Sequence, residues 1–586
     1  MIEERYQLWS TDPYFDEKTR EELLALSDRG EIEDRFYTDL EFGTGGLRGI
    51  IGAGTNRMNK YVIRKTTQGL AEYISEYGPE AKARGVVIAH DSRRYSAEFA
   101  LEAALVLARN GVHVHLFDAL RPTPELSFAV RFLHTVAGIV ITASHNPKEY
   151  NGYKVYWEDG GQVPPEQADA ILAKIEAREN WLGLEPMAEE EALARGLLHY
   201  VGAEVDQVYL DKVKGLALHP DLLREHGREL SIVYTPLHGA GNVPVRRALS
   251  ELGLSELFVV PEQEKPDPEF TTVPYPNPEI PSTLDLSRKY GEARQADLLL
   301  ATDPDSDRLG VVAREYLGGP YRQLSGNQAG VFLTYYLLSE KKKLGLLPEK
   351  ARIIKTVAST DLADAVAEGL GVGVENVLTG FKFIAEKEKE MEEGGWGVFQ
   401  FGFEESYGYL AGDFVRDKDA VIAAVLFSEA ALYYKINGER TIWQVLQEIY
   451  ARFGHYKEGQ ESFPLPGKEG REEMARIMQT LREEEILTIG GLSVERRDDY
   501  ELRQGRDLKS GRTYPLVLPK SNVLRFSFAG GGFVMARPSG TEPKIKFYFS
   551  VKNEDPKVLD ASFERVRSEW LKRVRAILAR LQGAQG

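Results

Sequence analysis

Asp297-Leu298-Leu299-Leu300-Ala301 runs into Asp303-Pro304-Asp305-Ser306-Asp307-Arg308 and out again through Leu309-Gly310-Val311-Val312-Ala313. The two apolar runs read as buried strands. The acidic stretch between them therefore falls at a strand end, where α/β folds place their chemistry. In an extended segment alternate side chains face the same way, so Asp303, Asp305 and Asp307 can converge on one hard cation. A calcium EF-hand loop is the main rival. It requires glycine at its sixth position and glutamate at its twelfth, where Arg308 and Arg314 stand, and that reading fails. Taken alone, the triplet reads better as a solvated acidic turn; motifs elsewhere reverse the balance.

Outward from this stretch, residues 85–89 read as a strand, 97–110 as a helix, and 112–116 and 137–141 as further strands. This is the alternation of an α/β unit. It restarts near 230–234 and again near 351–355, so three α/β units in series are expected, preceded by a helical arm over 3–40. Residues 261–281 are rich in proline and acid and read as loop; residues 454–471 change character and read as a linker. A smaller α+β unit follows, with strands near 523–528, 532–536 and 545–551 and a closing charged helix over 556–581. The expected domains are 1–205, 206–322, 323–460 and 461–586.

A length of 586 residues fits several domains of ordinary size, and 42% apolar with 28% charged residues is a globular composition. A formal net charge of −17 argues against a nucleic-acid or anionic-membrane binder. The absence of cysteine excludes disulfides, thiolate metal sites and a cysteine nucleophile. Residues 1–13 lack the basic-then-apolar pattern of a signal peptide. The longest apolar run, 420–432, contains Ser428 and Glu429. It is shorter than a bilayer requires, and a buried helix is expected. The expectation is a cytoplasmic protein with no membrane partner.

Four further motifs carry chemistry. Ile139-Val140-Ile141-Thr142-Ala143-Ser144-His145-Asn146-Pro147 is a buried strand running into a polar turn. A serine exposed there is a nucleophile or phosphate carrier if a base or metal activates it, and an ordinary serine turn if not. Lys148, Lys154 and His145 offer positive charge to a phosphorylated serine. Arg537-Pro538-Ser539-Gly540-Thr541-Glu542-Pro543 combines a guanidinium, hydroxyls and glycine, the equipment for gripping phosphate. Gly402-Phe403-Glu404-Glu405-Ser406-Tyr407-Gly408 sets acids and a serine after a strand-like run, suited to sugar hydroxyls or, equally, to a helix N-cap. Gly43-Thr44-Gly45-Gly46-Leu47-Arg48-Gly49 resembles a phosphate-cradling loop but misses the dinucleotide fingerprint. Neither a P-loop nor a His-Glu-x-x-His motif occurs. Thr379-Gly380-Phe381-Lys382 and Arg416-Asp417-Lys418-Asp419 say little alone.

In this order, the segments resemble the α-D-phosphohexomutase superfamily of phosphoglucomutases and phosphomannomutases, over most of the chain from Gly43 to Tyr548. The Glu41–Gly49 opening, the Asn151-Gly152-Tyr153-Lys154-Val155-Tyr156 continuation and the length are most similar to its longer phosphoglucomutase branch, which includes phosphopentomutases and glucose-1,6-bisphosphate synthases. The resemblance implies three consecutive α/β domains with mixed sheets and a smaller α+β domain, arranged around a central cleft. It implies a phosphoprotein isomerase of carbohydrate metabolism, active as a monomer or homodimer. The hexose 1-phosphate to hexose 6-phosphate conversion, with glucose foremost, is the leading expectation. Phosphopentomutase, bisphosphate synthase, metal-dependent phosphatase and inactive sugar-phosphate sensor are alternatives. Ser144 matches the phosphorylated serine; with it, Asp303, Asp305 and Asp307 match the Mg2+ ligands. Thr379, Gly380, Glu404 and Ser406 match sugar contacts, and Arg537, Ser539, Gly540 and Thr541 match the phosphate loop. Arg48, His145, Lys154 and Lys418 match basic positions near the reacting groups, and glucose 1,6-bisphosphate is the implied intermediate and activator. Phe381 departs from shorter members, which carry histidine there, and leaves the general base open between His145 and Lys418.

Overall fold

Runs rich in valine, isoleucine and leucine become strands wherever glycine or a polar turn bounds them. The computed structural model describes residues 2–43, 45–177, 182–465, 467–539 and 544–583. One unit comprises residues 1–324, 388–393 and 406–442, and a second comprises 325–387, 394–405 and 443–586.

The first unit opens with helices Ile2–Thr11, Glu17–Leu24 and Arg29–Phe36. Asp16 and Asp28 cap the second and third by accepting the backbone N–H groups of Thr19 and Gly30. Trp9, Phe15 and Phe36 bury themselves with Tyr61, the Trp9 and Phe15 rings stacking at 4.3 Å. The strands that follow are β1 (Gly46–Ile50), β2 (Val86–His90), β3 (Val114–Phe117), β4 (Ala137–Ile141), β5 (Tyr150–Trp157) and β6 (Leu198–Val201). They form one sheet in the order β1-β5-β4-β2-β3-β6. β4, β2, β3 and β6 are parallel; β5 alone reverses direction, and β1, antiparallel to β5, runs the same way as the other four. A second sheet contains β7 (Ile232–Thr235), β8 (Leu257–Val259), β9 (Leu298–Thr302), β10 (Leu309–Arg314) and β11 (Tyr321–Gln323), ordered β11-β10-β9-β7-β8. Its β7, β8 and β9 are parallel, and β10 turns back antiparallel on β9. Each sheet therefore ends its parallel part in a hairpin, and the hairpin loops are the Ser144 and aspartate segments.

The apolar run expected as a short buried helix is longer than its sequence suggested. Helix Ala420–Gly438 has 19 residues, enough by length to cross a bilayer, but its most apolar window is 78% buried. Asp419 caps it, accepting from the N–H groups of Val421 and Ile422 at 2.8 and 2.9 Å.

In the second unit β12 (Ala351–Thr356), β13 (Gly373–Val377) and β14 (Val398–Glu404) are parallel, with β12 between the others. Helix Gly326–Lys343 starts in a Ser325–Gln328 capping box and packs on β14, with Gly330 facing the Phe403 ring. β15 (Gly408–Leu410) belongs to the first unit. The chain then builds an antiparallel sheet from β16 (His455–Pro464), β18 (Leu492–Asp499), β19 (Gln504–Asp507), β20 (Thr513–Pro515), β21 (Leu524–Phe528), β22 (Gly532–Pro538) and β23 (Lys544–Asn553), with short β17 (Thr488–Ile489) beside β18. Helices Gly467–Glu483 and Pro556–Gly583 bury Met478, Leu481 and Trp570 against it.

Two expectations need correction. Residues 454–471 are no linker: β16 pairs with β23 along ten residues and crosses the boundary expected at 460/461. Nor is the stretch 43–49 a loop throughout. Gly46 to Ile50 is a strand, and a Cβ at Gly46 would stand 2.2 Å from the Tyr153 carbonyl oxygen. Close approach of β1 to β5 is what excludes a side chain there.

Candidate active site

Ser144 follows the carboxyl end of β4 in the left-handed region, at φ 51°. That conformation costs a non-glycine residue about 1–2 kcal/mol and persists only where the surroundings impose it. The Ser144 N–H donates to Thr142 Oγ1 at 2.8 Å, and its carbonyl accepts from Arg93. The result is a hydroxyl that donates to Asp303 Oδ2 at 2.7 Å and lies 3.2 Å from His145 Nδ1.

Asp303, Asp305 and Asp307 occupy the hairpin loop between β9 and β10 and are buried. Their convergence is achieved differently from the extended alternation expected. Residues 303–306 form a turn closed by the Ser306 N–H on the Asp303 carbonyl at 2.9 Å, with Ser306 at φ 54°. One oxygen from each carboxylate lies within 4.8 Å of the others. Asp303 Oδ1 accepts the N–H groups of Asp307 and Arg308 at 3.1 and 3.0 Å. Asp305 Oδ2 accepts from Thr123 Oγ1 at 2.9 Å and Lys154 Nζ at 3.1 Å. Lys418 Nζ stands 2.8 Å from Asp307 Oδ2.

Burial, together with the Asp305 and Asp307 charges, pushes the Asp303 carboxyl well above the usual carboxylate range. Burial alone would raise Asp305 as well. The Lys154 ammonium, with the Asp303 hydrogen bond and Lys418, overrides it and holds Asp305 well below that range. Asp305 Oδ1 and Asp307 Oδ1 are buried and have no hydrogen-bond partner among the described residues. Crowded, buried, unpartnered carboxylate oxygens are the donor set of a hard divalent cation, so the triad fits a metal ion.

The basic residues expected around the reacting groups are brought together in this unit. Arg48 Nη1 donates to Asn146 Oδ1 at 3.1 Å. Burial, with the nearby Arg308 and Arg48 charges, holds the His145 imidazole well below its usual range and therefore neutral. Tyr156 orients Asp417 through a 2.6 Å hydrogen bond, and Asp417 Oδ1 in turn lies 3.3 Å from Lys418 Nζ. Sequence reasoning missed Asp91, Arg93 and Thr123. Each follows the carboxyl end of a parallel strand, β2 or β3, the position that singled out Ser144 and Asp303. Charged residues immediately after the buried run at 86–90 were the available signal.

In the second unit, Thr379-Gly380 follows β13, and Glu404 ends β14. Both therefore stand at carboxyl ends of parallel strands. Gly380 adopts φ 126°, and Thr379 Oγ1 is buried with no partner among the described residues. Glu404 is buried, and Phe381 is buried beside the Thr379-Gly380 turn. Glu405 accepts from Thr356 Oγ1 at 2.9 Å, and burial plus the Glu404 charge raises its carboxyl. Arg537, on β22, lies within electrostatic reach of Glu405 and hydrogen-bonds Tyr548. Ser539 N donates to Lys544 O at 2.8 Å. Gly540 and Thr541 lie outside the described residues. Ser406, expected with these groups, belongs to the first unit.

Successive doubly wound sheets with a serine and a carboxylate triad at their strand ends form the architecture of a phosphoryl-transfer enzyme. Family models bear this out: phosphoglucomutase/phosphomannomutase α/β/α domains I, II and III match residues 39–181, 207–318 and 325–453. A phosphoglucomutase of Staphylococcus saprophyticus is 37% identical over 528 residues, 90% of this chain and 93% of that protein. The solved structure of pp63/parafusin from Paramecium, a phosphoglucomutase in its open form, aligns at TM-score 0.66 and 17% identity, covering 92% and 95% of the two chains. A family protein from Burkholderia thailandensis aligns at TM-score 0.64 and 19% identity, covering 92% and 97%. The chain belongs to the phosphoglucomutase/phosphomannomutase family, and its fold is that family's three α/β/α domains followed by an antiparallel-sheet domain.

Proposed function

We propose that the enzyme interconverts hexose 1-phosphate and hexose 6-phosphate, glucose phosphate foremost, with Ser144 as the phosphate carrier. The observation that carries this reading is the Ser144 hydroxyl, held 2.7 Å from a buried aspartate triad. The 37% identity to a phosphoglucomutase over most of the chain supports it. Phosphoryl transfer asks for charge neutralisation and in-line placement more than for covalent work by the protein. Asp303, Asp305, Asp307 and the Ser144 phosphate would hold Mg2+, which supplies Lewis-acid charge neutralisation to the transferring group.

In the first half-reaction a sugar hydroxyl attacks phospho-Ser144. The bond from phosphorus to Ser144 Oγ breaks, a bond to the sugar oxygen forms, and the hydroxyl proton passes by way of a base to the departing Ser144 Oγ. His145, kept neutral, and Lys418 are the basic groups at hand. The hexose bisphosphate, glucose 1,6-bisphosphate when glucose is the sugar, then returns its other phosphate to Ser144. Lys154 and Arg48 add positive charge for the transferring group. Glu404, Ser406, Thr379 and Gly380 are assigned to the sugar hydroxyls, and Arg537, Ser539, Gly540 and Thr541 to the phosphate that is not reacting. The enzyme is assigned to the cytoplasm, as a monomer or homodimer.

Turnover of glucose 1-phosphate with Mg2+ and a trace of glucose 1,6-bisphosphate tests this, with ribose 1-phosphate and mannose 1-phosphate alongside. The expected result is glucose 6-phosphate formation that Ser144→Ala abolishes. No turnover of any of these sugars, in protein shown to carry phosphate on Ser144, overturns the proposal.

A further inference from the structure

We propose that Arg93 and Asp91 are positioning residues, holding the left-handed backbone of Ser144 so that its hydroxyl faces Asp303; the inference rests on the reading of Ser144 as carrier. The Arg93 guanidinium is buried and paired with Asp91, Nε to Oδ2 at 3.2 Å. It donates to three carbonyls of the loop between β4 and β5, those of Ser144, Asn146 and Pro147, and to that of Tyr150 at the start of β5. Asp91 accepts the Arg93 N–H at 2.9 Å, the Ser96 hydroxyl at 2.7 Å and the Thr142 hydroxyl at 2.6 Å. Thr142 Oγ1 in turn accepts the Ser144 N–H. Both peptide groups of Ser144 thus end on this pair, one directly and one through Thr142.

Geometry explains why an arginine stands there. Four carbonyls spread over seven residues need a rigid fork of several donors, which guanidinium has and ammonium lacks. The Phe270 ring lies 5.0 Å from the guanidinium carbon and covers it. Arg93 and Asp91 are only 3% and 2% exposed. A substrate therefore does not reach them, and their hydrogen bonds to the loop are the route by which they shape it.

Arg93→Lys keeps the charge that Asp91 needs and removes the fork; Asp91→Asn is the milder second variant. Hydrogen exchange of peptides covering 142–150, kcat and KM with glucose 1-phosphate, and thermal stability are measured on the full-length enzyme. Leu249→Ala, a buried change in helix Asn242–Glu251, is the control for loss of stability alone. In both variants exchange in 142–150 is expected to rise about tenfold while the β7 and β9 peptides keep wild-type protection. A misplaced reacting group costs about 10²-fold in rate, so kcat falls by about that factor with KM within about threefold. Wild-type exchange and kcat in both variants overturn the proposal, as does a kcat loss that Leu249→Ala reproduces at equal stability. If the wild-type enzyme turns over no sugar phosphate, the functional reading fails instead, and the exchange data alone decide whether the pair holds the loop.

Discussion

Replacing Lys154 by methionine isolates the electrostatics of the aspartate triad. The ammonium is 13% exposed and stands 3.1 Å from Asp305 Oδ2 and 3.6 Å from Asp307 Oδ2. At an effective dielectric constant of about 20, each contact represents about 5 kcal/mol of attraction. Desolvation of the ammonium offsets much of this, and breaking a buried pair by removing one partner typically leaves a net cost of about 3–5 kcal/mol. Asp305, held low chiefly by Lys154 against burial, is the group that loses most. Because its carboxyl is depressed in the folded state, its stabilising contribution is present at neutral pH and is lost as pH falls. In metal-free buffer at neutral pH, Lys154→Met should lower the melting temperature by about 5 °C, at about 1.3 °C per kcal/mol for a unit of more than 350 residues. Adding Mg2+ should restore more stability to the variant than to the wild type, since a cation replaces the missing charge. Scanning calorimetry with and without Mg2+ measures both. A metal-free melting temperature within 2 °C of wild type would show that solvent already screens the triad, and would refute the reasoning.

Ser144→Gly should be more stable than Ser144→Ala by about 1 kcal/mol, because only glycine adopts φ 51° without strain; equal denaturation midpoints would remove the strain argument. Burial, opposed by the Thr360 hydrogen bond, pushes Glu458 up to about 7. A raised carboxyl stabilises the fold below its unfolded value of about 4.3 and loses that contribution as pH rises through 7. Glu458→Gln should therefore flatten the fall in stability between pH 4.5 and 7, worth about 2–3 kcal/mol, in melts taken across that range. Gly330→Ala places a Cβ 2.2 Å from Phe403 Cδ2. The overpacking should cost about 1–3 kcal/mol and, because Phe403 precedes Glu404, raise KM for sugar phosphate; an unchanged melt and KM would show that the ring moves freely aside.

Much of the fold was legible because buried parallel strands are written as uninterrupted apolar runs. Strand β4 falls on the residues expected, and Ser144 and Asp303 stand just past strand ends as read. The fourth domain was legible only in part. β16, His-Tyr-Lys-Glu-Gly-Gln-Glu-Ser-Phe-Pro, is an edge strand with most side chains partly or fully exposed, so hydrophobicity does not mark it. β18 carries Glu495, Arg496 and Arg497 mid-strand for a related reason: a half-solvated sheet tolerates charge. Arg93 was illegible for another cause. Its partners are backbone carbonyls more than fifty residues away, and carbonyls leave no trace in a sequence. The aspartate triplet was found, but its turn was not, because Ser306 gives no sign of its positive φ.

The Ser144 loop, the aspartate loop and the Arg537 segment all adjoin antiparallel strand pairs, β4 with β5, β9 with β10 and β22 with β23. In the first two, both ends of the loop are fastened by ladder hydrogen bonds, and their length is locked to strand register. One inserted or deleted residue would either bulge the loop or turn every following side chain of β5 or β10 to the opposite face. The loops after β12 and β13 run instead into parallel crossovers and carry no such constraint. Length variation is thus open to those loops of the second unit, while the Ser144 and aspartate loops admit substitution but not resizing.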